Sequence, residues 1–214
     1  MIAYLALLAL SAQPPVANPT AIQAERAFAR DAQAIGQWAA FRKWAAHDAV
    51  MFTPKVIWAR DFLKGRKEPH NAVRWAPAAS VISCDGTVAV NAGPYANLGG
   101  RHGRFTTVWL KGTGGWRWIY DGGEPTAQPV PEPAVPLVSR AACTGRPTGA
   151  PIASAPVLAA PVENGPPNDY GRGESADRTL GWDWKVDKDG ARTLRVFQWT
   201  GRRYAQRVYQ HVNP

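Results

Sequence analysis

Between residues 104 and 123 the chain reads RFTTVWLKGTGGWRWIYDGG, two strand-like runs around a glycine-rich turn. Thr, Val, Trp, Ile and Tyr suit a pleated, half-buried surface, and Gly112-Thr113-Gly114-Gly115 can reverse the chain. Strict alternation puts Trp116, Trp118 and Tyr120 on one face, and Arg117, Ile119 and Asp121 on the other. Upstream the period changes. Thr20-Ala-Ile-Gln23 has the form of a capping box, and Ala24, Phe28, Ile35 and Trp38 recur at helical spacing. Gly36 breaks this helix, and a second runs from Gln37 to about Ala46 with Trp38, Phe41 and Ala45 as its apolar stripe. Val50 to Phe52 reads as a strand stopped by Pro54, Ala59 to Lys64 as a short helix, and Ala79–Ser83 and Thr87–Ala92 as further strands.

The pattern then lapses. Eleven of the nineteen prolines fall within 125–167, which excludes a helix or an inner strand and predicts an extended linker. From 168 to 214, Leu180–Val186, Thr193–Trp199 and Tyr204–His211 alternate apolar and polar residues and predict a three-stranded β-meander. Helices first and antiparallel strands after give the α+β class. At the other end, Ile2 to Leu10 is an unbroken apolar run, too short to span a bilayer. Followed by small residues and Pro14-Pro15, it predicts a signal peptide over 1–12 and a periplasmic or secreted protein, with a buried N-terminal helix as the alternative.

The net charge of +9 is spread without a basic run, which argues against a nucleic-acid reader and for no more than a weak attraction to anionic surfaces. Ten tryptophans serve either as core filling or as an aromatic wall for a ligand. Cys84 and Cys143 form a disulfide in an exported protein, or remain two buried thiols. His47, His70, His102 and His211 lie far apart, and no pair of Cys or His has zinc-ligand spacing, so no metal is expected. No phosphate loop or catalytic Ser-His-Asp order appears, and no cofactor is expected.

Three stretches, AERAFARDAQAIGQWAAFRKWAAHDAVMFTP, SVISCDGTVAVNAGPY and GRFTTVWLKGTGGWRWIYDGG, together resemble the nuclear transport factor 2-like superfamily, in its bacterial SnoaL-like and ketosteroid-isomerase-like branch. The matching features are the helix with Glu25 and Phe28, the HDAVMF passage, the Asp85-Gly86 turn, Gly93-Pro94 and the GWRW strand, all within about 22–124. The resemblance implies a cone domain over 20–124, its curved antiparallel sheet wrapped around the N-terminal helices and open to a pocket. It also allows a homodimer through the sheet. Such a fold hosts enzymes, binding proteins and interaction modules, so function rests on the site.

Three acids are candidates for chemistry. Asp31 falls within the stripe of Ala24, Phe28, Ile35 and Trp38, where burial raises a carboxyl's pKa; the competing reading is a structural acid paired with Arg42 or with backbone N–H groups. Asp48 follows His47 in HDAV, and Asp121 precedes Gly122-Gly123; both also suit ordinary turn chemistry. Tyr95, Trp58, Trp75, Trp109 and Trp118 can donate to a ligand oxygen or simply fill the core. The resulting expectation is an exported protein whose cone-shaped pocket binds a small apolar organic molecule. The alternatives are an isomerase- or hydrolase-type enzyme using a pocket carboxylate, and an interaction module with a plugged cone.

Overall fold

The computed structural model describes residues 20–145, 147 and 166–214. The expected signal peptide lies outside the described residues. Helix α1 (Ala21–Ile35) starts where the capping box predicts: Thr20 Oγ1 accepts the Gln23 N–H, and Gln23 Oε1 accepts the Thr20 N–H. It ends at Gly36, whose φ of 101° a side chain would strain. Helix α2 (Gln37–Trp44) begins at once, its first turn capped from outside by Glu68, which accepts the N–H groups of Trp38 and Ala39 at 2.7 and 2.8 Å.

Strands β1 (Ala45–Phe52) and β2 (Val56–Trp58) follow, then the short helix α3 (Ala59–Leu63) and strand β3 (Arg74–Trp75). Strands β4 (Ala79–Ile82), β5 (Val88–Ala96), β6 (His102–Gly112) and β7 (Gly115–Pro125) form an antiparallel meander, and β1 joins β7 in parallel. Within the proline-rich stretch β8 (Leu137–Arg140) pairs with β4 in parallel. The first sheet thus runs β2-β1-β7-β6-β5-β4-β8, with β3 set against β5. A second sheet is built from β9 (Tyr170–Glu174), β10 (Leu180–Val186), β11 (Arg192–Trp199) and β12 (Tyr204–Val212). It has four strands where three were expected, because β9 pairs with β10 through Tyr170, Gly171, Arg172, Gly173 and Glu174.

Two cores give three layers. Beneath the helices, Phe28, Phe41, Ala49, Met51, Ala89, Trp109 and Trp118 pack together, with Phe28 edge-on to Phe41 and Trp75 at 4.8 Å each. Between the sheets, Val50, Val88, Val90, Val108 and Tyr120 meet Leu180, Trp182, Trp184, Leu194 and Val196. The first sheet is therefore covered on one face by helices and on the other by the second sheet.

This architecture overturns the cone. The eight-stranded sheet is mixed and open, its path ending at β2 on one side and β8 on the other, and it neither closes nor curls strongly around the helices. Stacking a second sheet face to face on the first favours two aligned, gently twisted layers. The implied relation to the nuclear transport factor 2-like superfamily, its cone-shaped pocket, the binding and enzyme readings built on that pocket, and the interaction module with a plugged cone fall with it.

The two meanders share a turn. Ser83-Cys84-Asp85-Gly86-Thr87 links β4 to β5, and Ser175-Ala176-Asp177-Arg178-Thr179 links β9 to β10. In each, the Asp Oδ1 accepts the Ser hydroxyl, the Thr N–H and the Thr hydroxyl. The fourth residue of each has positive φ, 69° at Gly86 and 61° at Arg178. The turns dock on one another, and the Cys84–Cys143 disulfide ties the first of them to the chain after β8. No helix among the described residues is long and apolar enough to cross a membrane.

Candidate functional site

Helix α1 buries Ala21, Ala24, Glu25, Phe28 and Ala32. Ala21, Glu25, Phe28 and Ala32 follow the four-three-four spacing of a helix face, so an acid occupies the centre of an apolar stripe. Glu25 is completely buried. Its Oε1 accepts the Trp75 indole N–H at 2.8 Å; its Oε2 accepts the Trp109 indole N–H at 2.6 Å and the Asn91 amide at 3.3 Å. Burial pushes its pKa to about 7 against the pull of these three donors, and the charge of Asp121 adds to the rise.

Asp121 reaches the same face of the sheet through a bulge. Trp118 pairs with Trp109, but Tyr120 pairs with Val108, which leaves Ile119 as an extra residue on β7. Trp116 and Trp118 therefore face the helices, Tyr120 turns to the second sheet, and Asp121 returns to the helix side opposite Thr107. The Thr107 hydroxyl donates to Asp121 Oδ2 at 3.2 Å. Burial raises the Asp121 carboxyl to about 6, opposed by Thr107 and by the positive charge of Arg192.

A cleft of about 180 Å³ opens beside Asp121. Phe41, Val73, Trp75 and Phe105 give it apolar walls, and Gln37 supplies a second polar group. Gln37 Oε1 accepts the Val73 N–H at 2.9 Å, which leaves the Nε2 amino group as the end available to the cleft. Tyr95 lies across the rim. A Cβ at Gly103 would meet its ring at 2.6 Å, and one at Gly123 would meet it at 3.2 Å, so two glycines make its bed. The Tyr95 phenol is raised above its ordinary pKa by partial burial and by Glu124.

Of the residues singled out from the sequence, Trp75, Tyr95 and Asp121 meet at this cleft. The others do not. Trp58 packs between the sheets, with Arg60 over its ring at 5.1 Å. Trp109 and Trp118 are fully buried under the helices, and the Trp109 N–H is committed to Glu25. Asp48 is exposed on β1. Asp31 is not in the buried stripe, which lies further round the helix and leaves Ile35 53% exposed. It accepts from Lys43 Nζ at 2.8 Å and from the Trp44 indole at 2.7 Å. Partial burial pushes its carboxyl up, but these donors prevail and hold it below the usual range. Arg42, its expected partner, pairs with Glu68 instead. Glu25, Asn91, Gln37 and Thr107 were not put forward as site residues. Glu25 could have been, because a carboxylate on an apolar helical stripe is itself a signal.

A concavity of about 660 Å³ lies on the outer face of the second sheet. Four of its charged residues pair off: Arg195 clasps Asp183 through Nε and Nη2, and Lys185 pairs with Asp187 at 2.9 Å. Among the described residues no three His, Cys, Asp or Glu side chains converge as a metal site. No protein-family model, curated protein or solved structure matches the chain.

Proposed function

We propose that the protein binds a small molecule carrying an N–H or O–H group in the open cleft beside Asp121 and exchanges a proton with it. The observation that carries this reading is the placement of Asp121. A bulge turns its carboxyl out of the inter-sheet core and into the wall of an otherwise apolar cleft, where one protein hydroxyl donates to it. A carboxyl in such a place is desolvated and titrates near neutrality, which is what general acid–base chemistry needs. Gln37 offers a donor at the same cleft, so a ligand with both a donor and an acceptor is held at two points. The volume lies below the ~300 Å³ at which drug-sized pockets begin, which favours a ligand of few heavy atoms.

Glu25 lies behind this site and does not line it. It touches Trp75, which also walls the cleft, and its charge and that of Asp121 disfavour one another. The Cys84–Cys143 bond accords with an oxidising compartment, and with it we extend the proposal to a periplasmic or secreted protein.

A fragment screen by NMR tests the cleft reading. Small amines, amides and alcohols should shift the Trp75 indole and Tyr95 ring resonances, with affinity that changes as Asp121 titrates. Asp121→Asn should abolish that pH dependence. Fragments that bind elsewhere, or bind the Asn variant with the same pH profile, overturn it.

A further inference from the structure

Arg192 stands at the start of β11, in the second sheet, yet its side chain ends on the first. Nη2 donates to the carbonyl of Gly123 at 2.8 Å, and the guanidinium lies over the Phe52 ring at 4.4 Å. A Cβ on Gly122 would stand 3.1 Å from Nη2, so the cation is pressed against the two residues that follow Asp121. It reaches them from the face of β7 opposite the cleft, where Tyr120 points. The residue is 7% exposed, its Nε finds no partner, and none of the ion pairs among the described residues includes it. A buried cation without a counter-ion in contact is costly, and here the Gly123 carbonyl, the Phe52 ring and the nearby charge of Asp121 offset that cost.

We propose that Arg192 is a positioning residue for the Asp121 site: from behind β7 it pins the Gly122-Gly123 ribbon and keeps Asp121 available as a proton acceptor. The inference rests on the cleft reading and deepens it, because it gives the second sheet a part in the chemistry. Three groups bear on the charge of Asp121, beside the protonated phenols of Tyr95 at the cleft and Tyr120 behind β7. Thr107 on β6 and Arg192 on β11 favour its ionised form, while Glu25 on α1, when ionised, disfavours it. Glu25 has three neutral donors and no cation. The two carboxyls therefore separate into one that gives up its proton first, beside Arg192, and one that keeps it longer, beneath the indoles.

The experiment is a pH titration of the full-length protein followed at the Asp121 carboxyl carbon by NMR. Arg192→Met should raise the Asp121 midpoint by about one unit, and Arg192→Lys should restore most of the difference. In the wild type, the Arg192 guanidinium nitrogen resonances should follow the Asp121 midpoint, and Asp121→Asn should remove that inflection. This second readout needs no Arg192 variant to fold. An Asp121 midpoint unmoved in folded Arg192→Met, or guanidinium resonances blind to Asp121, overturns the proposal. No ligand is involved, so a cleft that binds nothing sinks the functional reading and leaves this coupling standing.

Discussion

Asp85 and Asp177 each accept the other's backbone N–H across the seam between the two sheets, Asp177 Oδ2 from Asp85 at 2.7 Å and Asp85 Oδ2 from Asp177 at 3.3 Å. Each aspartate uses its other oxygen to organise its own turn. One carboxylate thus shapes a hairpin and docks it on its counterpart. Asp177→Ala removes the acceptor for Ser175, Thr179 and Asp85 together, and should lower stability by about 2 kcal/mol, since hydrogen bonds to charged groups are the stronger kind. Urea unfolding checks this; a loss within error would show the docking to be incidental.

The partner turn, held by Asp85, makes stability depend on pH. Partial burial pushes the Asp85 carboxyl up, but donation from Ser83 and Thr87 outweighs it and holds the group below its ordinary value. A carboxyl with a lowered folded-state pKa stabilises above its unfolded value, and that contribution is lost as pH falls through the folded one. Asp85→Asn should therefore cost stability at pH 7 and flatten the steepest part of acid unfolding below pH ~4.

Glu25 acts with the opposite sign. Its pKa rises on folding from 4.5 to about 7, so between these values the native state holds a proton that the unfolded chain has released. Stability should fall with rising pH across that window, by about 3 kcal/mol in all, and level off above it. Asp121, raised from 3.8 to about 6, adds a slope of the same sign at slightly lower pH. Thermal melts from pH 4 to 8 should show the wild type most stable on the acid side of neutrality. In Glu25→Gln the slope between pH ~5 and ~7 should shrink, because the group that titrates there is gone. The absolute melting temperature should drop as well, since the new amide turns an amino group toward one of the indole donors.

Cys84 and Cys143 are 59 residues apart in the chain, and the bond constrains the unfolded state by about 4 kcal/mol before any strain is subtracted. It ties the Ser83–Thr87 turn to the segment after β8, beside Trp199 and Gly201 of the second sheet. A Cys84→Ser, Cys143→Ser protein should unfold at markedly lower denaturant, while the wild type should match it only under reducing conditions. Equal midpoints in both would remove the disulfide from the stability of the fold.

Local structure was legible where a single residue decides it. Thr20 and Gly36 bracket α1 in the sequence as they do in space, and Gly112–Gly115 turns the hairpin. Curvature was not legible. Alternation tells which side chains share a face, but whether a sheet curls or stays open depends on what covers its second face, here strands β9 to β12, far downstream of β7. Register was the other loss. Strict alternation put Asp121 on the face opposite Trp118, whereas one extra residue brings both to the same side. The paired Ser-x-Asp-x-Thr turns are plain in the sequence once seen, but five residues recurring once carry little weight until the two turns are found in contact.

That one extra residue gives a sharp test of the site. Ile119 is the unpaired member of the bulge, so deleting it leaves Trp118 opposite Trp109, Tyr120 opposite Val108 and Asp121 opposite Thr107, and every side chain keeps its face. The variant gives up the half-buried Ile119 side chain and should lose about 1 kcal/mol of stability. Its Asp121 should still respond to molecules that enter the cleft. Exchanging the two neighbours instead, Tyr120→Asp with Asp121→Tyr, puts the carboxyl in the apolar layer between the sheets and the ring under the helices. That protein should lose several kcal/mol through the buried carboxyl and the displaced ring, and no carboxyl should answer a molecule in the cleft. Circular dichroism melts read the first effect, and carboxyl titrations with and without a cleft-binding fragment read the second. If the Ile119 deletion folds but its Asp121 no longer answers the cleft, pairing with Thr107 does not place the acid, and the cleft loses it.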